Sequence, residues 1–373
     1  MAVRLSGTTS LRPHMSSASN VPKTVASGQF EICRKLGEGC FGEVYSGKCC
    51  RTGESVAVKL ENSQKTDLQH EVSVLKTIGQ ASKMPQGFAQ FYHFGKEGRY
   101  NCLVMERLGL SLMDLHKAAG DKFTPQTAAL IGEQALRCLE LLHSFGIVHR
   151  DIKPENFMCG LGSRVHHLYL IDFGMAAKYY SGGKHITFQQ VSGFSGNLRY
   201  ASINAHRLFT QSRRDDLEAL GHMLYFFLLG RLPWSGLPAK NWKEQNKKVM
   251  EKKESTPLQE LNVGNPGAFE EYLAYCRSLG FTSRPDYTLL RNHFAKVRDM
   301  LSKQAGRTVE DCDLDWVRES DKPKCVPLQQ PSLVKQPEDN TAQVPRARGL
   351  ARLCGSRSTM VSEPELPLAV AAA

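Results

Sequence analysis

The residues best suited to chemistry form one uninterrupted segment, residues 149–156, which reads His-Arg-Asp-Ile-Lys-Pro-Glu-Asn. Transfer of a phosphoryl group to a hydroxyl needs a carboxylate that orients the hydroxyl and accepts its proton, and Asp151 is the candidate. Lys153 can neutralise charge that develops on the transferred phosphate. Asn156 offers a side-chain carbonyl oxygen to a Mg²⁺ ion. The segment therefore predicts phosphoryl transfer, with Asp151, Lys153 and Asn156 as the catalytic residues.

A second segment, Asp-Phe-Gly at residues 172–174, follows the first after a predicted strand hairpin. A carboxylate there can chelate the Mg²⁺ that bridges the phosphates of a nucleotide. Asp172 and Asn156 are therefore the predicted metal ligands, and ATP and Mg²⁺ are the predicted cofactors.

Residues 36–44 form a glycine-rich run, LGEGCFGEV. Glycines at this spacing let backbone amides approach phosphate oxygens, in dinucleotide-binding folds as well as in ATP sites. The run lies between two predicted strands, whereas a dinucleotide site requires a strand followed by a helix. A plain glycine-rich hairpin is the structural alternative. The predicted ATP-binding residues of the run are Leu36, Gly37, Glu38, Gly39, Cys40, Phe41, Gly42, Glu43 and Val44.

Two charged residues between the glycine run and the catalytic segment complete the predicted nucleotide site. Lys59 lies in a predicted strand with the sequence Val-Ala-Val-Lys and could hold the α- and β-phosphates. Glu71 lies in the next predicted helix and could pair with Lys59 to fix its orientation. Each has a simpler interpretation when taken alone, as a solvated strand lysine and an exposed helix glutamate. Their order and spacing favour the pair.

The charge and cysteine content limit the class of protein. The 373 residues carry a formal net charge of +11 and eleven cysteines without a CxxC pair. The positive charge favours acidic partners, such as phosphorylated or cytoskeletal proteins. No nucleic-acid-binding motif accompanies the charge, so specific nucleic-acid binding is not expected. The chain is too long and its cysteine spacing too irregular for a disulfide framework, which indicates reduced thiols.

The same features predict where the chain acts. No apolar stretch approaches the roughly 20 residues of a membrane span, and no apolar signal core is present near residue 1. We expect a cytoplasmic monomer, with a nuclear location also open because of arginines in the tail. The lysine-rich stretch 240–253 is interleaved with glutamates and predicts a solvated helix. His143, His166 and His167 lack metal-ligand spacing and are interpreted as packing groups.

The periodicity predicts an α+β fold in which a small β-rich lobe precedes a larger, mainly helical lobe. The small lobe has five predicted antiparallel strands, at residues 30–36, 43–48, 55–60, 91–94 and 100–105, and one helix at 68–78. The predicted helices of the large lobe are 125–145, 213–229, 269–279 and 287–300, the first with Thr124 as N-cap and Pro125 in the first turn. Residues 1–29 and 317–373 have the composition of disordered segments.

Four further motifs connect the chain to a family. They are Arg-Tyr-Ala-Ser-Ile-Asn at 199–204, Ser-Arg-Arg-Asp-Asp-Leu-Glu at 212–218, Leu-Pro-Trp at 232–234 and Pro-Asp-Tyr at 285–287. With the catalytic segment, they make residues 30 to about 316 resemble a protein kinase catalytic domain of the casein kinase 1 superfamily. Asn-Ala-His at 204–206 is similar to tau-tubulin kinases.

The resemblance implies a bilobal kinase fold and a serine/threonine protein kinase, because Lys153 matches that class. It implies an N-lobe at 30–105, a hinge at 106–108 and a C-lobe at 109–316. Asp216 should brace the catalytic loop, Met105 should be the gatekeeper, and Glu106 and Leu108 should contribute to adenine binding at the hinge. Protein substrates are implied as partners.

The chain departs from the family pattern at a few positions. Asn197 stands where the family has a threonine that bridges the catalytic aspartate and lysine. Gln189 and Pro238 stand where casein kinase 1 relatives have basic residues that grip acidic or phosphorylated substrates. Arg213 and Arg214 could form a residual anion site or could pair with neighbouring aspartates. A nucleotide-binding pseudokinase or scaffold, and a small-molecule phosphotransferase, therefore stay as alternatives to an active protein kinase.

Overall fold

The computed structural model describes residues 21–39, 42–79 and 84–329 of the chain. In this part, a six-stranded antiparallel sheet precedes a mainly helical region. The strands of the sheet are β1 (Thr24–Val25), β2 (Phe30–Gly39), β3 (Gly42–Cys49), β4 (Ser55–Asn62), β5 (Phe91–Glu97) and β6 (Tyr100–Glu106), in the order β1-β2-β3-β4-β6-β5. The α+β architecture is the one that the sequence predicted. Within the described residues, no helix combines the length and the apolarity needed to cross a membrane.

The sheet is larger than predicted, because β1 lies in the segment that was assigned to a disordered arm. Thr24 and Val25 pair in register with Glu31 and Phe30. The Val25 side chain is buried, and Ala26 donates its backbone N–H to Glu97 at 2.7 Å. A strand of two residues is too short to show an alternating pattern, which explains why the sequence did not predict it. Residues 1–20 of the predicted arm lie outside the described residues.

Helix α1 (Asp67–Ile78) follows β4 and precedes β5 in the sequence, and its apolar face packs into the main hydrophobic core. Leu68, Val72 and Leu75 are all nearly fully buried, as their spacing of three and four residues predicts. The acidic Glu71 lies on the same buried side. The helix therefore carries one carboxylate into the interior beside β4.

The large lobe contains eight helices within the described residues. They are α2 (Leu112–Ala118), α3 (Pro125–Ser144), α4 (Ile203–His206), α5 (Arg213–Leu229), α6 (Trp242–Ser255), α7 (Leu258–Leu261), α8 (Gly267–Ser278) and α9 (Tyr287–Ala305). Helix α3 begins as predicted, since the Thr124 side chain accepts the N–H of Thr127 and Pro125 lies in the first turn. Helix α5 is buried over almost its whole length and forms the centre of the core with α3.

Six short strands lie between the helices, and the loops next to them contain the predicted catalytic and metal-binding residues. They are β7 (Ile147–Val148), β8 (Phe157–Cys159), β9 (Leu168–Leu170), β10 (Ala177–Lys178), β11 (Tyr180–Ser181) and β12 (Lys184–His185). Strand β7 pairs with β10, β8 with β9, and β11 with β12. The catalytic segment lies between β7 and β8, and Asp172 follows β9. The β8–β9 hairpin thus separates the two segments, as predicted.

The folded region extends past residue 316, where the sequence predicted a disordered tail. Val317 is buried, and the Val326 carbonyl accepts hydrogen bonds from His166 at 2.8 Å and His167 at 2.9 Å. These contacts are between groups far apart in sequence, so periodicity does not reveal them. The boundary therefore moves to at least residue 329, and residues 330–373 lie outside the described residues.

Candidate active site

The backbone of the catalytic segment is held by a buried carboxylate from α5. Asp216 accepts the N–H of His149 at 2.7 Å and the N–H of Arg150 at 2.8 Å. His143 lies 2.9 Å from the same carboxylate. Burial alone would raise the pKa of Asp216, but the hydrogen bonds from His143 and the loop hold that pKa below its ordinary value. Arg150 has a φ of +67°, a strained conformation that persists because Asp216 holds the amides on either side of His149.

Asp151, Lys153 and Asn156 converge at the start of this loop. Lys153 Nζ lies 2.5 Å from Asp151 Oδ2, and Asn156 Nδ2 donates to the same oxygen at 3.2 Å and to the Asp151 carbonyl at 2.8 Å. Asp151 and Asn156 are almost fully buried. Because the Asn156 amide nitrogen is occupied, its Oδ1 is the atom that can coordinate a cation.

Lys59 and Glu71 form the predicted ion pair between β4 and α1. The Lys59 ammonium lies 2.6 Å from a Glu71 carboxylate oxygen and 3.6 Å from Asp172 Oδ1. Burial alone would lower the pKa of Lys59, but the charges of Glu71 and Asp172 outweigh it and raise that pKa. Lys59 lies centrally in the sheet, opposite Val44 on β3 and Leu103 on β6.

Asp172 has the donor chemistry of a cation ligand. It adopts a left-handed conformation with a φ of +65°, and its Oδ1 is buried without a hydrogen-bond partner among the described residues. Phe173, the next residue, is buried against Phe88 with ring centroids 6.0 Å apart. A buried carboxylate oxygen that lacks a hydrogen bond fits a hard cation such as Mg²⁺.

The glycine-rich run forms the hairpin between β2 and β3, not the start of a helix. Gly37 pairs with Val44, Glu38 with Glu43, and Gly39 with Gly42. Gly42 has a φ of +118°, and a Cβ placed there would lie 2.2 Å from the Leu60 carbonyl, so the turn requires glycine.

The acidic side chains of the hairpin are directed to Lys35. Glu38 lies 2.7 Å from its ammonium, and Glu43 also pairs with it. Leu36 is half-buried at the base of the same strand. Glu43 therefore joins β3 to β2 through Lys35, while Glu38 pairs with Lys35 within β2. Cys40 and Phe41 lie outside the described residues.

The predicted hinge joins β6 to the large lobe. Met105 lies opposite Ala57 of β4, and Leu108 is buried. The Glu106 carboxylate forms an ion pair with Arg164 at 2.7 Å and accepts the Gln90 N–H at 3.1 Å. The Glu106 side chain is therefore held by Arg164 of the β8–β9 loop and by Gln90, and the Glu106 N–H donates to the Gln90 carbonyl at 2.8 Å.

An apolar cluster beside the hinge was not predicted from the sequence. Leu108 and Tyr169 are buried together, and Met105, Met158 and Ile171 pack against them. Ile171 directly precedes Asp172, and Met158 is two residues after Asn156. Because Ile171 and Met158 lie so close to these motifs in the sequence, they could have been identified as candidate apolar contacts of a bound nucleotide.

Asn197 follows Gly196, whose backbone contacts the catalytic loop. A Cβ on Gly196 would lie 2.6 Å from the Arg150 carbonyl, so the two backbones touch here. The Asn197 Oδ1 accepts the N–H of Arg199 at 2.9 Å. Within the described part of the chain, the Asn197 side chain has no hydrogen bond to Asp151 or Lys153. Asn197 therefore does not form, among the described residues, the bridge that a threonine makes in the family.

The side chains of Arg213 and Arg214 are buried, which argues against a surface anion site. Arg213 donates to the Thr282 carbonyl at 2.9 Å and Arg214 to the Leu279 carbonyl at 3.0 Å. Arg214 Nε also lies 4.0 Å from Asp215, which agrees with the predicted pairing to a neighbouring aspartate. Both arginines thus connect α5 to the loop after α8.

The arrangement can bind a nucleotide between the glycine-rich hairpin, Lys59 and the hinge, and can place a phosphate beside Asp151. A family model described as the protein kinase domain matches residues 30–293, which is more than half of the chain. Proteins with this domain are phosphotransferases that use ATP with a divalent metal and act on protein substrates. The chain therefore belongs to the protein kinase family.

Proposed function

We propose that this protein is an active serine/threonine protein kinase that transfers the γ-phosphate of ATP to protein hydroxyls. The observation that carries the proposal is the contact between Lys153 Nζ and Asp151 Oδ2 at 2.5 Å. A lysine two residues after the catalytic aspartate is the feature by which the chain resembles serine/threonine kinases. The motifs at 199–204 and 212–218 support membership in the casein kinase 1 superfamily, with tau-tubulin kinase-like features.

In this proposal, Asp151 is the base of the reaction. Its Oδ2 is occupied by Lys153 and Asn156, whereas Oδ1 accepts no hydrogen bond from the described residues. We assign Oδ1 to the substrate hydroxyl, which it orients and whose proton it accepts. The Lys153 side chain lies beside this oxygen pair, where it would stabilise the negative charge of the incoming phosphate.

Lys59 would hold the α- and β-phosphates, since Glu71 fixes its ammonium at 2.6 Å. Asp172 and Asn156 Oδ1 would hold Mg²⁺. Bound there, the ion would neutralise charge on the β- and γ-phosphates. The amides of the glycine-rich hairpin and the hinge backbone would orient the rest of the nucleotide.

The experiment incubates purified protein with Mg-ATP and a peptide library that offers serine, threonine and tyrosine equally, followed by phosphoamino-acid analysis. We expect phosphoserine and phosphothreonine without phosphotyrosine. Phosphotyrosine as the main product would overturn the specificity that we assign.

A scaffold with weak turnover is the second candidate, and the position of Asn197 favours it. Its Oδ1 accepts the Arg199 N–H, so the side chain does not bridge Asp151 and Lys153. A scaffold would bind Mg-ATP, seen as a rise in melting temperature, without transferring phosphate to the library. Binding together with transfer above that of Asp151→Asn would exclude it.

We propose protein substrates whose recognition does not depend on Arg213 or Arg214, because both side chains are buried. Gln189, which carries no charge, donates its N–H to the Thr210 hydroxyl at 3.2 Å and accepts the Thr210 N–H at its carbonyl at 2.9 Å. A peptide array with acidic or phosphorylated residues upstream of the acceptor tests this. A strong preference for such residues would contradict it.

A further inference from the structure

The segment that follows Asn197 is anchored through every one of its backbone carbonyls. Each carbonyl from residue 198 to residue 201 accepts a hydrogen bond from a buried side chain of another part of the large lobe. The pairs are Leu198 O with Lys253 Nζ (2.9 Å), Arg199 O with Trp234 Nε1 (2.7 Å), Tyr200 O with His222 Nδ1 (2.8 Å) and Ala201 O with Lys253 Nζ (2.6 Å). Lys253 is the one donor that serves two of the four.

Lys253 is the exception in the lysine-rich stretch that the sequence predicted to be solvated. Its side chain is completely buried near the end of α6, and its ammonium lies 5.4 Å from the centre of the Trp234 ring. A lysine is almost never fully buried unless its charge is paired and its hydrogens are bonded. The burial of Lys253 must therefore be explained by the groups that its side chain contacts.

The side-chain nitrogen of Lys253 also contacts His206. Asn246 Nδ2 donates to the His206 carbonyl at 2.9 Å, and Asn246 Oδ1 lies 2.7 Å from His206 Nδ1. The other ring nitrogen, Nε2, lies 2.9 Å from Lys253 Nζ. Lys253 Nζ is therefore surrounded by the carbonyls of Leu198 and Ala201, to which it donates, and by the His206 ring.

One buried carboxylate, Glu218, lies near both Lys253 and Arg277. Burial lowers the pKa of Lys253 well below its ordinary value; the negative charge of Glu218 opposes that change, and the positive charge of Arg277 adds to it. Glu218 is held by Arg277 Nε at 3.3 Å, and Arg277 also donates to the Lys253 carbonyl at 3.5 Å. The cluster joins α5, α6 and α8 to the segment at 198–201.

The anchored segment lies directly beside the acceptor site. Gly196 touches the Arg150 carbonyl, one residue before Asp151, and Asn197 O accepts the N–H groups of Tyr200 and Ala201. We expect a peptide whose hydroxyl reaches Asp151 to lie beside residues 196–199, which are partly or fully exposed, whereas Tyr200 and Ala201 are buried. The conformation of this backbone decides where the peptide lies.

We propose that Lys253 is a positioning residue for the protein substrate, because the hydrogen bonds of its Nζ fix the backbone at 198–201 as the platform on which the substrate peptide rests. The proposal builds on the protein kinase activity proposed above. Lys253 contacts this platform from the interior of the large lobe. We therefore expect it to affect binding of the peptide and not binding of the nucleotide.

The test compares the wild-type chain with Lys253→Met, which keeps an unbranched apolar stem and removes Nζ with its hydrogen bonds. Loss of two buried hydrogen bonds to the platform should raise the KM for peptide about tenfold and leave the KM for ATP unchanged. Tyr225→Phe is the matched control, since it deletes a buried hydrogen bond elsewhere in the large lobe, from α5 to Asn262. In the control both KM values should equal those of wild type. Equal changes in the two KM values of Lys253→Met would overturn the proposal.

Hydrogen–deuterium exchange gives a readout that does not depend on activity. We expect faster exchange at residues 198–201 in Lys253→Met and wild-type exchange there in Tyr225→Phe. Unchanged exchange would contradict the platform role even in a protein that transfers phosphate. Faster exchange in a protein without transfer would instead preserve the platform and refute the kinase activity.

If Lys253→Met does not fold, Trp234→Phe tests the same platform. It removes the donor to Arg199 O and keeps a smaller aromatic ring against Lys253 and His222. A rise of the peptide KM with an unchanged ATP KM is the expected result, and wild-type values for both would count against the proposal.

Discussion

The carboxylate of Asp216 accepts the backbone N–H of Arg150 at 2.8 Å, and this bond holds Arg150 in a left-handed conformation immediately before Asp151. The relationship connects the central helix α5 to the catalytic loop. It predicts that the loop geometry depends on a residue that touches neither nucleotide nor substrate.

Asp216→Asn should therefore lower both stability and turnover. The amide places an N–H group against one of the two loop N–H groups, so one buried donor loses its acceptor, at a cost of about 2 kcal/mol. Urea denaturation and kcat measure the two effects. Asp286→Asn is the control, since it changes an exposed N-cap of α9 and should leave kcat unchanged. Wild-type kcat in Asp216→Asn would contradict this account of the loop.

The buried pair of Lys59 and Glu71 gives a prediction about coupling. Lys59→Met leaves Glu71 buried beside Asp172 without its cation and should cost about 3 kcal/mol of unfolding free energy. Adding Glu71→Leu removes the unpaired charge, so the double variant should be more stable than Lys59→Met alone by more than about 1 kcal/mol. Denaturation of the four proteins measures the coupling energy. Simple additivity of the two single changes would be evidence against a coupled pair.

Much of the site follows from sequence because its parts are contiguous motifs at required spacings. The pairing of Lys59 with Glu71 and the bracing of the catalytic loop by Asp216 were predicted and are present. Helix α5 begins and ends where its pattern predicts, since its capping box at Ser212 and Asp215 and its C-terminal Gly230 mark both ends.

The remaining features depend on contacts between distant residues or on side-chain burial. Strand β1 and the docking of Val326 on His166 have no periodic signature. Lys253 was predicted to be solvated because its neighbours are charged, and only the packing of α6 against residues 198–201 shows that it is buried.

The burial of His166 predicts a loss of stability in acid, which its hydrogen bond to the Val326 carbonyl only partly offsets. Burial lowers the pKa of His166 to about 4, and the charge of His167 contributes. Because the unfolded state takes up a proton at an ordinary pKa near 6.5, stability is lost as the pH falls from about 6.5 towards 4. The loss from this group should reach about 2 kcal/mol by pH 5.

Melting temperatures of wild type and His166→Gln at pH 7.5 and pH 5 measure this effect. The variant cannot titrate, so it should lose less stability in acid than wild type. His93→Gln, a change in the small sheet, is the control and should follow wild type. Identical acid sensitivity in wild type and His166→Gln would remove His166 as the cause.

Asn197 gives a prediction about catalytic strength. In Asn197→Thr the new side chain is shorter than that of asparagine, and its hydroxyl can both donate to Asp151 and accept from Lys153. We expect kcat to rise about tenfold, since one charge-assisted hydrogen bond is gained at the catalytic pair, with the KM for ATP unchanged. Asn265→Thr, in the loop before α8, is the control. The same kcat in wild type and Asn197→Thr would show that position 197 does not limit turnover.

The central claim, that the chain is an active protein kinase with Asp151 as its base, is tested by one comparison. The initial rate of γ-phosphate transfer from Mg-ATP to a degenerate serine/threonine peptide library is measured for wild type and Asp151→Asn, both shown to be folded and to bind ATP. The account predicts clear transfer by wild type and a rate at least about 100-fold lower in the variant. Equal rates for the two proteins, or no transfer by wild type above the variant, would contradict it.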